Sequence, residues 1–201
     1  MASTASPYGF KAVNELGGLP YAGSTRTFLI DPAGYNTNIF NGSIVAINTS
    51  GYINIVTTNG DNSTPFPAGT IGVFVGCSYY NAQGQLIFSQ YYPANTTGVV
   101  QAFVIDDDRA VFQVQAAGSL GQTALGMNAF LNAVQSTSTG STTTGNSNTA
   151  LSTSVAATSG YAFRIVDFVN STTSQVGDAY TDVLVKFNPG SHSYSNATGV
   201  A

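Results

Sequence analysis

The chain has 201 residues, and only 7% of them are charged: five Lys or Arg and nine Asp or Glu. An ordinary soluble domain carries about 25%. Ser, Thr, Asn, Gln, Gly and Tyr stand where charges would be. A chain that gives up charge loses a barrier against its neighbours and can press wide areas against other subunits without desolvating ions. The net charge of −4 and the scattered positions of Arg26, Arg109, Arg164 and Lys186 leave no basic patch, which argues against nucleic acid as a partner.

The length fits one domain with arms, and 43% apolar residues suffice for a core. Eleven Tyr and twelve Phe favour strands and interfaces. The lone Cys77 permits no internal disulfide; in the run Ile71–Cys77 it reads as a small buried hydrophobe. The opening residues have no basic lead or apolar stretch, so neither a signal peptide nor a membrane partner is expected, and synthesis is placed in a cytoplasm.

Residues 1–24 hold Pro7, Gly9, Gly17, Gly18, Pro20 and Gly23, a density of breakers that argues against a regular element. Pro7, Tyr8, Phe10, Val13, Leu16 and Tyr21 lie among them. They suit an extended N-terminal arm that lies across a surface, either a partner's or that of its own domain. These six are the candidate contact residues.

Strand signals then follow at short intervals through a single domain over 25–188. Thr25–Ile30 ends at Asp31-Pro32. Ile39–Phe40 leads into Asn41-Gly42, a strong hairpin signal, and Ser43–Ile47 and Tyr52–Thr57 flank a second turn, Asn48–Gly51. Residues 59–69 read as loop. Thr70–Tyr80 is a long central strand, turned at Asn81–Gly84 into Gln85–Tyr92. Val99–Ile105 and Ala110–Ala116 are predicted to pair around Asp106–Arg109. Leu120, Ala124, Met127, Leu131 and Val134 follow helical spacing behind a Ser119/Gln122 capping box, so one short helix is predicted. Residues 135–157 are low-complexity, either a mobile loop or a ribbon ordered by its neighbours. Ala162–Val169 and Ala179–Phe187 are strong strands, and 189–201 is a polar, peripheral tail. The class is mainly β: an antiparallel β-barrel or β-sandwich of about ten strands.

Parts for catalysis are few. The single His192 sits between serines in the tail, where it reads as an exposed structural residue rather than a catalytic one. One Cys and one His cannot make a zinc site. Asp106-Asp107-Asp108 reads as a solvated turn balanced by Arg109, because consecutive strand-end residues point apart. Glu15, the only Glu, lies in the arm. No enzymatic activity, cofactor or metal is expected.

Several segments, in order, resemble a family of small structural proteins of tailed bacteriophages of marine and freshwater bacteria. These are Ser6-Pro7-Tyr8-Gly9-Phe10, Gly72–Tyr79, Ser89–Ala94, Val104–Asp108, Phe112–Gln115, Phe163–Asp167 and Val183–Asn188. The departures are Tyr92 before Pro93, where the family pattern has Trp, and the Ser/Thr insert. The resemblance implies a virion capsid decoration, or cement, protein without catalytic residues, on the outer surface of the head and bound to the major capsid protein. By analogy with other decoration proteins, a homotrimer is favoured and a dimer is next. The alternatives are a carbohydrate-binding or host-adhesion module, the major shell subunit itself, and a hydrolase. The shell subunit is disfavoured because the tailed-phage shell fold needs a long helix.

Overall fold

The computed structural model describes residues 3–200, so the first two residues of the expected arm and Ala201 of the tail lie outside it. Thirteen strands are present among the described residues: β1 (Lys11–Glu15), β2 (Arg26–Ile30), β3 (Ile39–Phe40), β4 (Ile44–Ile47), β5 (Ile53–Ile55), β6 (Thr70–Tyr80), β7 (Leu86–Ser89), β8 (Tyr91–Tyr92), β9 (Val100–Ile105), β10 (Ala110–Gln115), β11 (Asn128–Ala129), β12 (Phe163–Phe168) and β13 (Asp182–Phe187). All pairings between strands are antiparallel. The first sheet runs β1-β10-β13-β12-β11. The second runs β2-β9-β6-β4-β5, with β7 added on β6, and β3 and β8 form a separate ribbon. The fold is mainly β, and a sandwich describes it.

Side-chain alternation divides the apolar residues between two cores. Phe112, Val114, Ile165, Val183 and Val185 of the first sheet meet Ile44, Val73 and Ile105 of the second in the core between the sheets. Neighbouring residues on the second sheet, among them Val45, Ile71, Phe74, Val100, Ala102 and Val104, point the other way into an inner core. The second sheet curls around that core. Its edge strands β2 and β5 approach within 8 Å between Cα atoms, and Ile39 and Tyr92 of the β3–β8 ribbon help to cover it. Tyr92 is fully buried; its hydroxyl accepts from the Tyr35 N–H at 3.0 Å and can donate to the Thr96 carbonyl at 3.1 Å. A Trp at this position has one donor and no acceptor, so it cannot receive the Tyr35 N–H.

Several expectations are corrected. No α-helix forms over 119–134; the chain makes one 3-10 turn at Gln122–Ala124 and then β11. Leu120, Ala124 and Leu131 are buried there without a helix, and the left-handed Gly126 (φ +79°) bends the chain back to pair with β12. Ile39–Phe40 does not form a hairpin with Ile44–Ile47, because β3 pairs β8 while β4 pairs β5 and β6. β9 and β10 do not pair either: Asp106–Arg109 carries the chain from one sheet to the other. The hairpins at Asn48–Gly51 and Asn81–Gly84 do form, each with its Asn side chain accepting two backbone N–H groups.

The segment 135–157 is ordered by its neighbours. Leu151 belongs to the main core. Gln135 is buried, and its side chain accepts from the Ile44 N–H at 2.8 Å and donates to the carbonyls of Ile44 and Val56 at 3.1 and 3.0 Å. In the tail, His192 is buried rather than exposed, edge-on to both Phe187 and Tyr194.

Candidate interaction surfaces

The arm folds back on its own domain, and its sequence explains how. Gly9 and Gly42 both have positive φ, and their backbones touch. A Cβ on Gly9 would lie 2.8 Å from the Gly42 carbonyl oxygen, and one on Gly42 would lie 2.9 Å from the Phe10 nitrogen. The Phe10 N–H then donates to the Gly42 carbonyl at 3.0 Å. Asn41-Gly42, a hairpin signal by sequence, is thus the seat for the arm. Phe10 passes this seat into the main core, stacks on Phe163 at 4.9 Å and meets Phe112 edge-on.

The six predicted contact residues therefore separate. Phe10 is 1% exposed and holds its own core, which corrects its assignment as a partner contact. Pro7 and Tyr8 are half-buried. The Tyr8 hydroxyl donates to Asp182 at 3.1 Å, and the Lys11 ammonium lies 4.5 Å from the ring centroid. Burial, followed by the nearby Asp182 carboxylate, pushes the Tyr8 pKa well above its ordinary value. Tyr21 packs against the main core, and its hydroxyl donates to the Ser24 carbonyl. Only Val13 and Leu16 face solvent.

These two belong to an element that the breaker count argued against. β1 pairs along the edge of β10, and Gly17 and Gly18 turn the chain so that the Glu15 N–H donates to the Leu19 carbonyl at 2.8 Å. The result is a small tongue with Val13, Leu16 and Leu19 exposed. Glycines that break a long strand are the residues a tight turn requires.

A second surface was missed by sequence reasoning. β6 is eleven residues long, but the first sheet covers only its Val73 end. Beyond Val75 the same face continues uncovered across β7, β6, β9 and β2. Register places Phe88, Ser78, Gln101 and Leu29 in one row, with Leu86, Tyr80 and Val99 beside it. Leu29, Leu86, Tyr80, Val99 and Phe88 are between 46% and 73% exposed. All of these but Leu29 border a shallow depression of about 200 Å³. Gln85–Tyr92 and Val99–Ile105 carry apolar residues on both faces, so no alternation marks the exposed one. Which of the two faces lies under the first sheet depends on tertiary structure.

The chemistry-bearing residues of the acidic run meet the polar tail. The Asp106 carboxylate pairs with Arg26 at 3.1 Å and accepts from the Tyr194 hydroxyl at 2.8 Å. Asp107 caps the Arg109 N–H, and Asp108 accepts from Ser195. Arg26, not Arg109, is thus the partner of this acidic run, and the polar tail is strapped onto it. Burial lowers the His192 pKa, opposed by the Asp108 carboxylate. Burial in the inner core pushes the Cys77 thiol up to about 12. Among the described residues no group of three His, Cys, Asp or Glu could hold a metal ion, and no helix is long and apolar enough to cross a membrane.

Comparison with protein-family models, with curated proteins and with solved structures finds no match to this chain.

Proposed function

We propose that this chain is a non-enzymatic structural protein of a tailed-phage head. In this reading it sits on the outer surface of the virion and cements neighbouring major capsid subunits. The observation that carries the reading is the tongue, which holds three apolar side chains in solvent on a chain that is only 7% charged. Apolar groups held out from a domain gain by burial against another surface. The sequence resemblance, spread along the chain in order, supplies the identity of that surface. A cement protein that binds the assembled shell and not its free subunits stabilises the shell by mass action.

The test uses heads assembled without the protein. The purified chain is expected to co-sediment with them and to raise their thermal stability. Replacing both Leu16 and Leu19 with Asp is expected to abolish binding while the domain stays folded, since both side chains are exposed. Deleting the whole arm is a poor test because it removes Phe10 from the core. Failure of the unaltered protein to bind heads would remove the reading.

A further inference from the structure

We infer that the uncovered face of β7, β6, β9 and β2 is a self-association surface, on which a second copy of this chain packs face to face about a two-fold axis. The inference deepens the assembly reading and rests on it for why such a face is kept exposed. Its measurement, however, needs no heads.

The bare face is the same face of the second sheet that carries Val73 and Ile105 into the main core. Where the first sheet stops, the face stays uncharged, with Leu29, Tyr80, Leu86, Phe88 and Val99 around the polar Ser78 and Gln101. A sheet face of this composition is built to be covered by another layer. The tongue lies on the first sheet, whereas this face belongs to the second.

No Asp, Glu, Lys or Arg stands on this face of the four strands. Arg26, at the start of β2, pairs with Val104, which points into the inner core, so Arg26 falls on the opposite face. A two-fold interface sets the same patch against itself, and like charges would then repel across the axis. An uncharged patch is complementary to itself, whereas a partner chosen by charge would need ions here. At the middle of the patch stands Gln101, exposed, with an amide that both donates and accepts and so can pair with its own copy.

Five half- to three-quarter-exposed side chains present on the order of 500 Å² per copy. Two copies together remove about 1,000 Å², the threshold for a specific contact. The area suits a reversible dimer, with a dissociation constant on the order of tens of micromolar. Such a contact closes where copies are held close together on a lattice.

Sedimentation equilibrium of the full chain tests this. The unaltered protein is expected to pass from monomer to dimer around that concentration. Gln101→Lys and Gln101→Glu alone are each expected to weaken association at least about ten-fold, through like charges near the axis. Mixing the two variants is expected to restore dimers, which distinguishes the two-fold pairing from a loss of folding. Phe88→Ser, at an exposed position, is expected to weaken association without loss of stability. A monomer at about 1 mM would overturn the inference, as would a trimer, a Gln101→Lys variant that dimerises normally, or a monomer whose Phe88 face binds polysaccharide instead. If dimers form but heads are not bound, the capsid reading falls and the pairing stands. If heads are bound and no dimer forms, the pairing falls alone.

Discussion

Gln135 lies at the start of a segment composed mostly of Ser, Thr, Asn and Gly, and yet it is 2% exposed. Its amide replaces a neighbouring strand: it satisfies the backbone N–H and carbonyl of Ile44 and the carbonyl of Val56 at once. A buried backbone group without a partner costs about 1–3 kcal/mol. Gln135→Leu keeps most of the volume but leaves two such groups unpaired, the Ile44 N–H and the Val56 carbonyl, while the Ile44 carbonyl keeps the Val56 N–H. It is expected to lower the unfolding free energy by about 3 kcal/mol, measured by urea denaturation. A loss below about 0.5 kcal/mol would mean that water replaces the amide and that the insert is not fastened here. Glutamate at this position is a sharper version of the same test, because one carboxylate cannot donate to two carbonyls.

The arm behaves as two pieces with different duties. Residues 3–10 are bound to the domain by side chain and backbone: Ser3 accepts from the Tyr180 N–H, Ser6 donates to Gln115, and Phe10 enters the core. The tongue that follows leaves its apolar residues in solvent. Phe10→Ala is therefore expected to cost about 3–5 kcal/mol in the same urea experiment. Leu16→Ser is expected to change stability by less than about 0.5 kcal/mol. Equal effects would show that the division between anchor and tongue is wrong. The sequence made Phe10 and Leu16 look alike, as apolar residues among glycines. Only the close approach of Gly9 to Gly42, more than thirty positions away in the chain, separates them. The same limit explains the two misplaced hairpins. Asn41-Gly42 and Asp106–Arg109 are short polar links of the kind that close hairpins, and a link between two sheets has the same local chemistry. Alternation was legible in β5, where Asn54 stands between the buried Ile53 and Ile55. Strand identity survived in β6, although both faces of its Val73 end are buried, because β-branched and aromatic residues cluster there. The predicted helix failed because Leu120, Ala124 and Leu131 reach one core from an irregular chain. Buried spacing alone does not distinguish that path from a helix.

At the scale of the whole molecule, the scarcity of ions sets how the protein responds to its solvent. One ion pair, Arg26–Asp106, joins the described residues; its arginine is 62% exposed and its aspartate 13%, so water reaches the pair from the arginine side. Exposed pairs contribute little and are screened by salt. The two cores, by contrast, are apolar, and screening does not reach them. Raising NaCl from about 50 mM to about 500 mM is therefore expected to move the melting temperature by less than about 2 °C. Sodium sulfate at matched ionic strength is expected to raise it further, because excluded salts strengthen apolar burial. The proposed dimer is expected to follow the same order, since its face has no charge to screen. A rise of about 10 °C in NaCl would mean that repulsion within the net charge of −4, concentrated at Asp106–Asp108, opposes folding far more than one compensated crossing allows. A fall of that size would mean that ion pairs hold the fold, contrary to the two-core account. Melting curves in the two salts separate these outcomes, because chloride acts here mainly by screening and sulfate acts also through the apolar surface.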